Sequence, residues 1–273
     1  MSMEVQQSIA RRVESAETST LFSRLNAIKN LEGNPEQVYI KPFGNATAFI
    51  VKGIPDPYFN SVRGLTSEDI DLLDDMIAFY RDHNMPCRFD IAPLVNADLM
   101  LKLAERGYYQ YGFHSSLYGL PKKELPVPRN MDDGLSIRKL HESEFSLFGE
   151  IYTKAFKMPE FLAPSVTRNN YILKDIPGWH FYLASYQNLP AAIAVLNVQD
   201  GVGSLAAAAT LPMFQGKGCH AALLAARIKE SEELHCDFVI GQARFGSISQ
   251  GNMERLGLRI AYTKSLWKEM PGD

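Results

Sequence analysis

The chain has 273 residues, 46% hydrophobic and 22% charged, enough for a packed core in one large domain or two small ones. A net charge of −3 gives no electrostatic reason to propose a nucleic-acid partner, so none is expected. Three cysteines, Cys87, Cys219 and Cys236, make neither a CxxC pair nor a disulfide framework, which points to a reducing cytoplasm and to no metal site.

Residues 4–30 read as an amphipathic helix, with Val5, Ile9, Val13, Leu21, Leu25 and Ile28 near helical spacing. Their charges are not those of a signal peptide. Apolar runs such as Leu205–Leu211 are too short to span a bilayer, so no membrane partner is expected. Two β-like runs follow, VYIKPF and ATAFIVK. LTSEDIDLLDDMIAFYRDH then reads as a helix, with Thr66 or Ser67 as N-cap and Ile70, Leu73, Met76, Ile77 and Tyr80 as its apolar stripe. CRFDIAP is a strand, LMLKLAERG a helix stopped at Gly107, and YYQYGFHSSLYGL a strand region. The Pro-, Gly- and charge-rich segment 121–134 reads as a linker, giving an N-terminal domain over 1–125 and a C-terminal one over 135–273.

The second half opens with the strand LSIRKL, followed by helices near 142–156 and 163–174. A meander comes next: WHFYLASY, a turn at Gln187–Pro190, AAIAVLNV, a turn at Gln199–Gly201, and GSLAAAAT. A Gly-rich loop leads into a helix ending near Leu234. DFVIGQA is a strand, SISQGNMERLG a helix stopped at Gly257, and LRIAYTKSLWKE the last strand. The halves echo each other, CRFDIAP and LAERGY in the first answering CDFVIGQ and MERLGL in the second, which reads as an internal duplication. Upstream they differ. The second copy has Gln215-Gly-Lys-Gly218 before its helix, where the first has VRGLTSED, whose acids would repel an anion.

The loop FQGKGCHAALLAAR joins glycines to a helix start, which makes an anion site of free N–H groups and the helix dipole. A Walker A loop would need Ser or Thr after Gly216-Lys217, and Gly218 stands there. The letters GxGxxA of a dinucleotide site fit Gly216 to Ala221. Yet five residues separate strand from glycines, and Asp237 opens the next strand instead of closing it.

TLPMFQGKGCHAALL and SISQGNMERLGLRIAY, in this order after the meander, resemble the two cofactor motifs of the GNAT superfamily of acyl-CoA N-acyltransferases over residues 135–268. The resemblance implies an α/β protein, an α+β mixed sheet, with two tandem GNAT-like halves, the N-terminal one degenerate. It implies acetyl-CoA as cosubstrate, with its diphosphate on Gln215, Gly216, Lys217, Gly218, Cys219, His220 and Ala221 and its pantetheine arm along Ala209, Thr210 and Leu211. An amine, of a small molecule or a protein, would attack the thioester directly, with the carbonyl oxygen polarised by a backbone N–H. The degenerate half would shape the acceptor cleft or complete a homodimer.

The chain departs from the pattern in places. His220 replaces a small residue in the turn. Gly246 and Met253 stand at the family's Asn and Tyr positions, so Ser249 or water becomes the candidate proton donor to the departing thiolate, with Tyr262 a weaker one. The strand before the loop has no acid to act as base. Asn197, Asp200, His180 and Tyr182 are candidates for the acceptor pocket, and Cys219 reads as a packing residue rather than a nucleophile. Two other readings compete: an acyl-CoA-binding sensor or pseudo-enzyme, and a dinucleotide-dependent oxidoreductase.

Overall fold

The computed structural model describes residues 3–125 and 134–271, so most of the linker expected at 121–134 lies outside the described residues. Contacts divide the chain into two compact units. One is Met1–Ser116 with Gln242–Ser247 and Ile260–Asp273, and the other is Leu117–Gly241 with Ile248–Arg259. A single cut in the linker does not reproduce this division, because the last strand counts with the first unit.

In the first unit the leading helix, α1, spans Met3–Lys29. The strands β1 (Val38–Phe43), β2 (Ala46–Val51) and β3 (Val62–Arg63) form antiparallel neighbours. β3 runs parallel to β4 (Arg88–Ile91), pairing Val62 with Phe89. Side chains alternate across a strand, so Ala46, Ala48 and Ile50 face a core with Met76 and Tyr80 of α2 (Leu73–Asp82) and Leu99 and Leu103 of α3 (Ala97–Glu105). The helix expected from Thr66 begins as a 3-10 turn over Ser67–Leu72. Thr66 caps it, and Asp69 reaches back to the Thr66 N–H at 2.8 Å in a capping box. β5 (Tyr108–Gly119) follows α3.

In the second unit β6 (Leu135–Lys139), β7 (Trp179–Tyr186), β8 (Leu189–Gln199) and β9 (Val202–Thr210) make an antiparallel meander, and β10 (Phe238–Arg244) lies parallel to β9. Helices cover both faces. Phe145 and Phe148 of α4 (Phe145–Ala155) pack on Phe181 at ring separations of 5.0 and 5.6 Å, and α5 (Ala163–Tyr171) packs on α4. On the opposite face, Tyr182, Ala184, Tyr186, Ala192, Ala194 and Leu196 meet Cys219 and Leu223 of α6 (Cys219–Glu233).

α6 approaches β9 through Gly203, where a β-carbon would run into Ser231 Oγ. Gly203→Ala is therefore expected to cost about 1–3 kcal/mol by overpacking. Urea unfolding would measure it, and Ser231→Ala in the same chain should recover part of the loss.

α7 (Ile248–Arg255) and Gly257, at φ +94°, lead to the last strand, β11 (Arg259–Glu269). The strand–helix–glycine–strand unit thus occurs twice, as β4–α3–Gly107–β5 and β10–α7–Gly257–β11. β11 was expected to close the C-terminal half. Instead it pairs antiparallel with β4 of the first unit, Trp267 opposite Phe89 and Ser265 opposite Ile91.

Candidate active site

β9 ends at Thr210, and a 3-10 turn over Pro212–Phe214 carries the chain to the glycine loop. Phe214 and Cys219 are buried in the core beneath α6, which anchors the loop at both ends. Between them Gln215, Gly216 and Lys217 are exposed. Gly216 and Gly218 have φ of +78° and +82°, where side chains are strained, and a β-carbon on Gly216 would meet nothing within 4 Å. Gly218 caps α6 without a side chain, so the first-turn N–H groups, from Gly218 to Ala221, have no side-chain cap. The Lys217 ammonium lies 5.7 Å from the Tyr186 ring centre. This is an open, positively biased helix start, in contrast to the capping box at Thr66 and Asp69 in the first unit. Burial pushes the Cys219 thiol up, in keeping with a packing residue.

The edge of β9 beside the loop is open. β9 and β10 pair only at Val202–Phe238, Gly203–Val239 and Ser204–Ile240, and then part. On its other side β9 stays paired with β8 as far as Thr210 and carries a bulge. Val195 opposes Ala207 and Asn197 opposes Ser204, so three steps of β9 match two of β8 and the extra residue falls within Leu205–Ala206. Beyond the bulge the parity of the ladder is set. Leu211 N–H donates to Ala191 O at 2.9 Å, so Leu211, Ala209 and Ala207 direct their main-chain groups to β8. Ala208 and Thr210 direct theirs to the open edge. Of the three residues expected to pair with a pantetheine arm, Thr210 faces the gap, whereas Ala209 and Leu211 face β8.

His220 turns towards α7. Its Nδ1 lies 2.8 Å from Asn252 Nδ2. Asn252 Oδ1 accepts from Arg255, so the Asn252 amide donates to His220 and the imidazole proton sits on Nε2. Burial, with Arg227 adding to it, pushes the His220 pKa down to about 4. The unfolded chain binds a proton near pH 6.5 that the folded chain refuses until about pH 4, so stability falls as pH drops through that window. His220→Gln should flatten the dependence, read as a smaller difference between urea midpoints at pH 7 and pH 5 than in the parent protein.

Ser249 sits half-buried in the first turn of α7. Met253, one turn on and 2% exposed, packs where a β-carbon on Gly241 of β10 would stand. The i, i+4 spacing places Ser249 on the same β10-facing side. Tyr262, by contrast, belongs to the first unit and donates its hydroxyl proton to Glu14 Oε2 at 2.7 Å. Burial and the acids Glu17 and Glu14 push its pKa far up, so it is a poor proton donor to a thiolate.

The acceptor-pocket expectation is corrected for two residues. His180 lies 3.8 Å from Glu230, and Tyr182 shares the core beneath α6, so both sit on the sheet face that α6 covers. Asn197 is buried, and Asp200 shapes the β8–β9 turn at φ +49°. Sequence reasoning missed Arg227, which is 1% exposed on α6. Its signal was a charge inside the helix's apolar stripe, between Leu223, Leu224 and Ile228 on one side and Ser231 on the other.

No family model and no curated protein matches the chain. Solved structures do. A GCN5-related N-acetyltransferase from Kribbella flavida is 16% identical, over 92% of this chain and 96% of that one, with a TM-score of 0.63. One from Sphaerobacter thermophilus is 15% identical, over 84% and 82%, with a TM-score of 0.60. A tandem GNAT protein from the clavulanic acid biosynthesis pathway is 11% identical, over 84% and 79%, with a TM-score of 0.59. Among the described residues no helix is long and apolar enough to cross a membrane. The mixed sheet, the parted β9–β10 pair, the glycine loop and these neighbours agree: this chain has the GNAT fold, in two tandem GNAT-like halves.

Proposed function

We propose that the protein is an N-acetyltransferase that moves an acetyl group from acetyl-CoA to an amine. The observation that carries this reading is the uncapped start of α6 at Gly218, next to the open edge of β9. The N–H groups from Gly218 to Ala221 and the Lys217 ammonium would hold the diphosphate. The Ala208 carbonyl and the main-chain groups of Thr210 would pair with the pantetheine arm. The amine nitrogen attacks the thioester carbon, the C–S bond breaks, and the Ser249 hydroxyl passes a proton to the departing thiolate while regaining one, through water, from the attacking nitrogen. No acid lies on β9 to act as base, and an amine that arrives neutral, or that loses its proton through water, suits such a site. The acceptor would be a small-molecule or protein amine, and the setting the cytoplasm.

Met253 favours a second reading. A thioether at the position of the family's proton donor suits a protein that binds acyl-CoA without turning it over. Calorimetric titration with acetyl-CoA, with NADH as control, tests the shared part. Micromolar binding of acetyl-CoA alone is expected, and binding of NADH instead would move the loop to the dinucleotide class. A panel of amines assayed for acetylated product by mass spectrometry then separates enzyme from sensor.

A further inference from the structure

Arg227 stands where the loop helix, the bulge and the open edge meet. Its guanidinium is buried, and its bonds go to main-chain carbonyls: Nε to Leu223 O, and Nη1 to both Val195 O and Ala207 O, each at 3.0 Å. Val195 and Ala207 are the facing pair that borders the bulge. Burial pushes the guanidinium pKa down to about 10, so the side chain stays charged at neutral pH. An unpaired buried cation is costly, and an apolar side chain would fill the same space at lower cost. The position thus asks for a role beyond packing.

The peptide plane supplies one. Ala207 O points at Arg227, between β8 and β9. A trans peptide sends its N–H opposite to its C=O, so the next N–H, that of Ala208, points away from β8 to the open edge. A carbonyl that accepts from a cation polarises its peptide and makes the N–H on the other end a better donor. Resting on the acyltransferase reading, we propose that Arg227 is a positioning residue. It clamps Ala207 O and Val195 O across the bulge, and so aims and polarises the Ala208 N–H as the donor to the thioester oxygen of acetyl-CoA. The same side chain ties α6 to the bulge. Gly218 and Arg227 are nine residues apart on one helix, or about 13 Å at the helical rise, so the diphosphate and the thioester are held at a fixed offset.

The test uses acetyl-CoA labelled with ¹³C at the carbonyl, bound to the whole protein and read by isotope-edited infrared difference spectroscopy. The parent protein should shift the bound carbonyl stretch to lower frequency than in solution. Arg227→Met should lose most of that shift, and Arg227→Lys, which keeps a charge but loses the fork, should keep part of it. CoA without its acetyl group, titrated calorimetrically, should bind the variants as it binds the parent, since its diphosphate sits at the start of α6. A merely structural Arg227 would leave the carbonyl frequency alone. Should Arg227→Met fail to fold, Arg227→Lys and Arg227→Gln carry the comparison. A parent protein that binds acetyl-CoA without a carbonyl shift, or folded variants that keep the full shift, would overturn the proposal and leave the acyltransferase reading standing. A parent protein that fails to bind acetyl-CoA would overturn both.

Discussion

Lys264→Met is expected to destabilise the protein by about 3–5 kcal/mol at neutral pH, as a lower urea midpoint, because it strands two buried carboxylates. Lys264 lies on β11, fully buried, with Nζ 2.8 Å from both Glu14 and Glu17 of α1. Glu14 also accepts from the Tyr262 hydroxyl and, at 3.2 Å, from the Gly64 N–H. Burial raises the Glu14 carboxyl, but Lys264, Tyr262 and Arg63 together outweigh it and hold that carboxyl below its ordinary range. Glu17 is held above it, by burial first and against the pull of Lys264. Without the lysine its charge no longer offsets the burial that raises both carboxyls. A raised group contributes stability below its unfolded pKa and loses it as pH rises through the folded one. The variant should therefore be closest to the parent near pH 4.5 and fall furthest behind at pH 7. Glu14→Gln and Glu17→Gln added to Lys264→Met should restore much of the loss, because a neutral cluster needs no cation. A variant as stable as its parent at pH 7 would show that the cluster is not held by charge.

Gly218→Asp should weaken acetyl-CoA binding about 100-fold or more, close to 3 kcal/mol. Two effects add. A carboxylate at the cap of α6 would occupy the N–H groups left open for the diphosphate, and its charge would repel that ligand. Gly218→Asn separates them, since the amide has the same shape and can also cap but carries no charge. Its loss should fall between those of the aspartate and the parent. Asp and Asn are among the few residues that tolerate the left-handed backbone at φ +82°, so both variants should fold. Undiminished affinity in folded Gly218→Asp would mean that acetyl-CoA, if bound, is bound elsewhere.

The elements were legible because their signals are local. The β-rich run WHFYLASY between turn signals, the Thr66 cap ahead of α2 and the apolar stripes of α1, α2 and α6 place those elements within a few residues of where they lie. The loop was legible too, since glycines at positive φ before an apolar helix leave a plain mark. What stayed hidden is pairing over long range. The alternation in β7 groups His180 with Tyr182, Ala184 and Tyr186, but nothing local says that α6 covers that face, so both polar residues read equally as pocket candidates or as strand surface. Arg227 shows as a charge in an apolar stripe, yet its acceptors come from β8 and β9. Glu14 and Glu17 show the same way among Ala10, Val13 and Leu21, and their partner Lys264 lies some 250 residues away in sequence, on a strand whose own pattern names no neighbour.

The placement of β11 bears on how the protein is made. Synthesis makes α1 to β4 before β11, yet the strand that pairs with β4, and the lysine that neutralises α1, come only at Arg259–Glu269. The first unit cannot close until β11 has been made. The second, by comparison, has its meander and α6 within one run of sequence before that point. The nascent N-terminal segment would thus wait with an unpaired strand edge and uncompensated acids, a state open to wrong partners. Of the two units, the one whose strands are made earlier is thus finished later.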